Sequence, residues 1–160
     1  MFGFGKKEPV SMASPLKGKI IDITEVSDHV FADKVMGDGF AVMPGEGEDT
    51  VLAPCDGKVM LVADTRHAVA IGAGSKYRLE LLIHVGLETA ALNGEGFTAL
   101  VKKGDKVKRG DPLIRFDRGA LIKKGKSLTT MLVVTNADDA AQSMEKNLGD
   151  ADKVLTVTLK

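Results

Sequence analysis

The run Leu79-Glu80-Leu81-Leu82-Ile83-His84-Val85-Gly86-Leu87-Glu88-Thr89 constrains the fold of this chain more than any other stretch. Its composition leans to β, and Gly86 would interrupt a helix before a third turn, so it reads as a buried strand. Alternation along a strand places Glu80, Leu82 and His84 on one face and Leu79, Leu81, Ile83 and Val85 on the other. The second set is core. His84 is then held on a rigid element facing away from that core, the setting a nucleophilic or metal-binding imidazole needs. A lone histidine on a strand is more often a packed structural residue, but a second histidine raises the weight of this one. His67 opens another β-like run, His67-Ala68-Val69-Ala70-Ile71. The glycine-bearing connection Gly72-Ala73-Gly74-Ser75-Lys76-Tyr77 predicts that the two runs are antiparallel neighbours, with both imidazoles near one edge.

With 160 residues the chain suits a single domain with a substantial core. Its 22 basic and 22 acidic residues cancel, leaving no global field to favour nucleic acid or an acidic membrane. One cysteine, Cys55, excludes an intramolecular disulfide and fits a reducing, cytoplasmic setting. The 18 glycines and the absence of tryptophan point to tight turns between short strands. No stretch approaches the roughly 20 apolar residues that span a bilayer. The opening Met1-Phe2-Gly3-Phe4-Gly5-Lys6-Lys7 is too short for a secretory signal. It reads as a frayed end, or as at most a weak membrane-surface contact.

Residues 8–14 read as a linker, so that 1–14 form a flexible N-terminal segment and 15–160 the domain. Strands are expected over 18–23, 40–43, 97–101, 106–107, 112–116, 131–135 and 154–159, and Val51-Leu52-Ala53 leads into Pro54. One irregular helical turn is expected within 28–36. A short helix is expected over 117–124, where Asp117 is the N-cap, Lys123 and Lys124 complement the C-terminal dipole, and Gly125 ends it. A weaker helical pattern covers 137–146. An internal repeat links Ser14-Pro15-Leu16-Lys17-Gly18-Lys19-Ile20 with Ala53-Pro54-Cys55-Asp56-Gly57-Lys58-Val59. In each copy a proline and a glycine set a turn that launches a strand. These features predict an all-β fold, a compact β-barrel or sandwich with short helical pieces.

Leu81-Leu82-Ile83-His84-Val85-Gly86-Leu87-Glu88-Thr89-Ala90 resembles the phosphorylation-site signature of the glucose-type enzyme IIA (EIIA) components of the bacterial phosphoenolpyruvate:sugar phosphotransferase system. Asp64-Thr65-Arg66-His67-Ala68 is similar to the segment carrying that family's second active-site histidine. Asn93-Gly94-Glu95-Gly96-Phe97 and Gly104-Asp105-Lys106-Val107-Lys108-Arg109-Gly110-Asp111 match its next landmarks in order. The resemblance runs from about Pro15 to Lys160. It departs at Arg78, where the signature has a glycine, and in a connection between the histidine strands about two residues longer than usual. The block from Lys103 to Leu113 also resembles the turn of lipoyl and biotinyl carrier domains. Both likenesses imply a barrel-sandwich hybrid architecture, here in the duplicated hybrid form.

Neutral imidazole is a good nucleophile toward phosphorus, and transfer of a phosphoryl group asks chiefly for in-line positioning and relief of charge. In this reading His84 is the nucleophile, His67 donates a hydrogen bond to the phosphoryl group, and Thr65 orients His67. The resemblance implies the same three roles. It also implies a phosphotransferase that accepts phosphoryl from the histidine carrier protein HPr and passes it to the IIB domain of a sugar permease. The implied docking face is an apolar ring of Val30, Phe31, Val35, Met36 and Leu82 with the acids Asp28 and Glu88. Ala63 and Ala90 make that ring shallower than in the family, and His29 stands at its rim in place of an aliphatic residue. No cofactor is required. Zinc is optional, at a site in which His67 and His84 share the metal with a partner carboxylate, since two nitrogens are too few for a closed zinc site.

Other functions make different demands. A biotin or lipoate carrier needs a lysine in a Met-Lys-Met or Asp-Lys-Ala setting, which this chain lacks. A LytM-like zinc hydrolase needs a His-x-His pair, also missing. A regulatory module that binds metabolic or transport proteins through the apolar face is compatible with phosphotransfer.

Overall fold

The structure, a computed structural model, describes residues 8–160, so the segment considered for membrane-surface contact lies outside the described residues. In chain order the elements are β1 (Pro9–Met12), β2 (Gly18–Asp22), α1 (His29–Ala32), β3 (Asp38–Pro44), β4 (Thr50–Leu52), β5 (Gly57–Val62), β6 (Ala68–Ala73), β7 (Leu79–Val85), β8 (Phe97–Ala99), β9 (Lys106–Val107), β10 (Pro112–Phe116), α2 (Arg118–Lys123), β11 (Thr130–Val134), α3 (Ala137–Ala140), β12 (Ala141–Lys146) and β13 (Leu155–Leu159). The α-helices have four, six and four residues, so the fold is all-β as expected.

A seven-stranded antiparallel sheet of order β2-β3-β11-β7-β6-β5-β9 carries the molecule, with three-stranded sheets β1-β13-β12 and β4-β10-β8 beside it. The main core joins residues from all three, among them Phe40, Ile71, Leu81, Leu113, Ile114, Leu155 and Val157. The sheets stack as a sandwich and do not close into a barrel. Strand β7 alternates as the sequence predicts. Leu79, Leu81, Ile83 and Val85 are fully buried, while Glu80 is exposed and Leu82 and His84 are half-buried. Each of those four burials contributes about 1.5–3 kcal/mol.

The two copies of the repeat lie side by side. The Ala13 amide donates to the Pro54 carbonyl at 2.9 Å, and the Leu52 amide donates to the Pro15 carbonyl at 2.9 Å. They launch β2 and β5 toward opposite sides of the large sheet. At the start of each strand a glycine lets a neighbouring backbone come close: a Cβ on Gly18 would strike the Met43 carbonyl, and one on Gly57 the Gly72 carbonyl. Sterics therefore explain why both copies share that residue.

Three expectations are corrected. Residues 8–14, read as a linker, contain β1, which pairs with β13 and buries Val10 and Met12. Pro9 fits this strand, because at the first residue of an edge strand its missing N–H costs no ladder bond. The packed domain thus begins near Pro9, not at Pro15. Residues 137–146, read as weakly helical, form one turn, α3, and then β12. Pairing of β12 with β13 overrides the helical propensity of Ala, Gln, Met, Glu and Lys. The strand expected over 97–101 stops at Ala99.

At the end of β12, Lys146 ties a small sheet to the large one. Its Nζ lies 2.6 Å from Asp22 Oδ1 at the end of β2 and 2.6 Å from Asp38 Oδ1 at the start of β3. Burial alone would raise the Asp22 carboxyl, but hydrogen bonds from Lys146 and Thr24 outweigh it and hold it at about 2. Lys146→Met should therefore destabilise the fold by about 1–2 kcal/mol, because two facing carboxylates lose their shared cation in a partly buried site. Urea denaturation at pH 7 checks this. The loss should shrink as pH falls through the carboxylate range, where protonation removes the repulsion.

Candidate functional site

His84 sits one residue before the end of β7, between β6 and β11, with Ala68 and Met131 as its cross-strand partners. Both neighbours are buried, so the ring stands on an apolar floor. Its Nδ1 lies 2.9 Å from the Gly86 carbonyl. A carbonyl oxygen only accepts, so this bond puts the proton on Nδ1 and leaves the Nε2 lone pair free. Gly86 can turn its carbonyl back toward the ring because it has φ +78°, a conformation natural to glycine, and an added Cβ would collide with Thr89 and the Ser127 carbonyl. The Phe31 ring covers another side of the imidazole, 5.0 Å away between centroids and tilted by 59°.

The antiparallel pairing of β6 with β7 brings His67 to the same edge, as the sequence predicts. The Val85 amide donates to the His67 carbonyl at 2.8 Å, and the two imidazole centroids are 4.7 Å apart, edge to face at 81°. Thr65 Oγ1 lies 2.5 Å from His67 Nδ1. The hydroxyl fixes the rotation of that ring and can serve either tautomer. Donating to Nδ1, it makes Nε2 a donor; accepting from Nδ1, it makes Nε2 a lone-pair site. Burial pulls the His67 imidazole below its ordinary value. Burial, followed by the charge of His67, pulls His84 down to about 4, although the Gly86 bond and Asp28 act the other way. Both rings are therefore neutral at pH 7.

The residues of the expected docking ring fall into two groups. Val30, Val35, Met36 and Glu88 are exposed, Val35 at 71 %. Leu82 is half-buried on the His84 face of β7. The half-buried Asp28 caps α1 by accepting the Val30 N–H at 2.8 Å, and its charge reaches His84. Phe31 differs. It is only 6 % exposed and packs with Ile23, Val26, Ala41, Met131 and Val133 in a small second core on the outer face of the large sheet. Its contribution to the site is a wall against His84, so it is not a freely presented contact. His29 is a surface residue, 3.9 Å from the carboxylate of Asp33, which caps the C-terminus of the same helix.

The histidine spacing alone did not disclose two parts of the site. The Gly86 carbonyl was legible only as a turn, although a glycine two residues after the histidine is the available signal. Phe97, at 6.4 Å from His67 and almost fully buried, comes from the start of β8, thirty residues away in sequence. Among the described residues no group of three or more His, Cys, Asp or Glu side chains gathers to hold a metal. The pair of imidazoles suits a metal in its neutral state, as two ligands of a set that another molecule must complete. The four-ligand set of a zinc hydrolase is not assembled by the described residues. Cys55 is no rival nucleophile, since burial and then Asp56 push its thiol up to about 12.

Comparison with known proteins fits this geometry. A family model for the phosphoenolpyruvate-dependent sugar phosphotransferase system, EIIA 1, matches residues 10–140. The PTS system glucose-specific EIIA component of Bacillus cereus is 44% identical over 166 residues, covering 100% of this chain and 98% of that protein. The protein of the same description from Oceanobacillus iheyensis is 44% identical over 144 residues, covering 89% and 85%. Among solved structures, glucose permease IIA from Mycoplasma capricolum matches with a TM-score of 0.81 at 31% identity, over 98% of this chain and 99% of that one. A shared fold, a full-length match and the paired histidines, His67 just before β6 and His84 on β7, thus agree, and the chain belongs to the EIIA 1 family of the phosphoenolpyruvate-dependent sugar phosphotransferase system.

Proposed function

We propose that this EIIA component carries phosphoryl on Nε2 of His84, taking it from phospho-HPr and giving it to the IIB domain of a sugar permease. The observation that carries the reading is the bond from His84 Nδ1 to the Gly86 carbonyl, beside a second neutral imidazole. In the accepting step the Nε2 lone pair attacks phosphorus, the P–N bond to the donor histidine breaks, and that imidazole recovers the electron pair. The proton stays on Nδ1, donated to the Gly86 carbonyl, whose dipole stabilises the positive charge gained by the ring. His67, with Thr65 donating to its Nδ1, offers Nε2–H to a phosphoryl oxygen. The step to IIB runs the same exchange in reverse. Both partners dock over Val30, Val35, Met36 and Leu82, with Asp28 and Glu88 facing basic groups at the rim. On this reading the protein works in the cytoplasm. The relatives are named for glucose, which makes a glucose permease IIB the first acceptor to try.

Other occupants of the same face are compatible with this reading. A regulatory partner would cover the same apolar residues. Where that partner adds a carboxylate, zinc would take the two Nε2 atoms, with Thr65 then accepting from His67 Nδ1, and would supply a Lewis-acid cross-link between the two proteins.

Two substitutions separate the histidines. His84→Gln leaves no atom able to form the P–N bond, so label from phospho-HPr should vanish. His67→Gln should still be labelled at His84, with onward transfer slowed roughly 30- to 1000-fold, the effect of losing about 2–4 kcal/mol of transition-state hydrogen bonding. Acid-labile, base-stable label in wild type and His67→Gln is the expected pattern by mass analysis. Label persisting in His84→Gln would mean that another residue is the acceptor.

The depressed imidazoles give a pH prediction. His84 becomes cationic only as pH falls toward about 4, so its acceptance of phosphoryl should stay flat well below 6.5, the ordinary histidine value. Titration of the His84 ring by NMR should give a midpoint near 4, moving upward in His67→Gln. Stability has the matching sign. Between about pH 6.5 and 4 the unfolded chain binds histidine protons that the folded chain refuses, so stability is lost as pH is lowered through that window and regained as it is raised. A His84 midpoint near 6.5 would remove the argument from burial.

A further inference from the structure

Arg66 stands between Thr65 and His67 and has φ +59°, a left-handed conformation that a long side chain rarely adopts. A backbone held there costs on the order of 1–3 kcal/mol and persists when its surroundings over-determine it. Here the surroundings are far away in sequence. Arg66 Nε donates to the Phe97 carbonyl at 3.2 Å, and Nη2 donates to the Gly94 carbonyl at 3.3 Å. One planar guanidinium thus spans both ends of the loop before β8, with charge-assisted bonds that a lysine cannot reproduce together. Gly94 leaves room for it: a Cβ there would sit 2.5 Å from Nη2 and 3.1 Å from the guanidinium carbon. The loop closes on the same carbonyl, since the Phe97 amide also donates to Gly94 at 3.1 Å. The Phe97 ring then stands against His67, on the ring that also meets His84.

We propose that Arg66 is a positioning residue for phosphotransfer, pinning the Gly94–Phe97 loop so that Phe97 and Thr65 hold His67 in register with His84. The proposal rests on the phosphocarrier reading above. The residue on either side of the strained position is functional, so the fork anchors the turn and the wall of the site together. Among the described residues the guanidinium bonds only to loop carbonyls, so it acts through His67.

The test compares Arg66→Asn, Arg66→Lys and Gly94→Ala. Asparagine tolerates the left-handed backbone and removes the fork, lysine keeps the charge alone, and alanine at Gly94, where φ is +90°, displaces the guanidinium while straining the loop backbone. Phospho-HPr should still label His84 in each. The kcat for transfer to a glucose permease IIB domain should fall about tenfold in Arg66→Asn and Arg66→Lys with KM unchanged, since displacement of a catalytic group by about an ångström costs up to 100-fold. The NMR titration midpoint of His67, measured with no phosphoryl donor present, should rise toward 6.5 as the loosened Phe97 admits water. Gly94→Ala should act in the same direction and cost less kcat in the Arg66→Asn background than in wild type. A wild-type kcat in Arg66→Asn overturns the proposal, as does a lowered kcat with the His67 midpoint unmoved, and full rescue by lysine would reduce Arg66 to a charge. If Arg66→Asn fails to fold, the other two variants carry the same readouts. Absence of label in wild type would instead strike the phosphocarrier reading, and the His67 midpoint would still decide the clamp.

Discussion

The molecule depends on β7 being hydrogen-bonded along both edges inside the seven-stranded sheet while burying one full face in the main core. Four apolar side chains point one way and fix the register against β6 and β11. A slip of one residue would expose them all and bury Glu80 and His84. The histidine is therefore aimed by the same interaction that stabilises the fold, and a site built this way does not rely on a mobile loop for its direction. The small sheets finish the task by covering the apolar face, with Lys146 fastening one of them to Asp22 and Asp38.

Around His84, packing becomes chemistry through desolvation. The floor of Ala68 and Met131, the Phe31 wall and the neighbouring His67 all disfavour a charged imidazole, and the ring stays neutral at cellular pH. The Gly86 carbonyl chooses which nitrogen is free. Thr65 plays the corresponding part for His67, where a hydroxyl is more versatile than a carbonyl because it can donate or accept. Of the six described non-glycine residues with left-handed backbone, Arg66 and Glu88 lie beside the histidines.

Much of this was readable in particular residues. The alternation of Leu79 to Val85 gave the strand and its core face, and the glycine-bearing connection gave the β6–β7 pairing. Asp117 and Gly125 bounded α2 closely, and the proline–glycine repeat marked two strand starts. The family signature around His84 and His67 led to membership that the full-length comparisons support. Less legible were segments whose local preference yields to a distant partner. Pro9 to Met12 looked like a linker until β13 was beside it, and 141–146 looked helical until it paired with the same strand. Phe31 was assigned to a docking surface, although a small second core claims it.

The sequence by itself determined the short-range facts: where strands run, which face of each is apolar, where the chain must turn, and which two imidazoles meet near one edge. Those follow from periodicity and from the conformational limits of glycine and proline, which act over a few residues. Tertiary structure alone decided the edge-to-face meeting of the histidines, the depth of the apolar floor beneath them, the sheet that β1 joins and the reach of Arg66 to Gly94 and Phe97. These depend on contacts between residues tens of positions apart, whose free energy exists only once the intervening chain has folded.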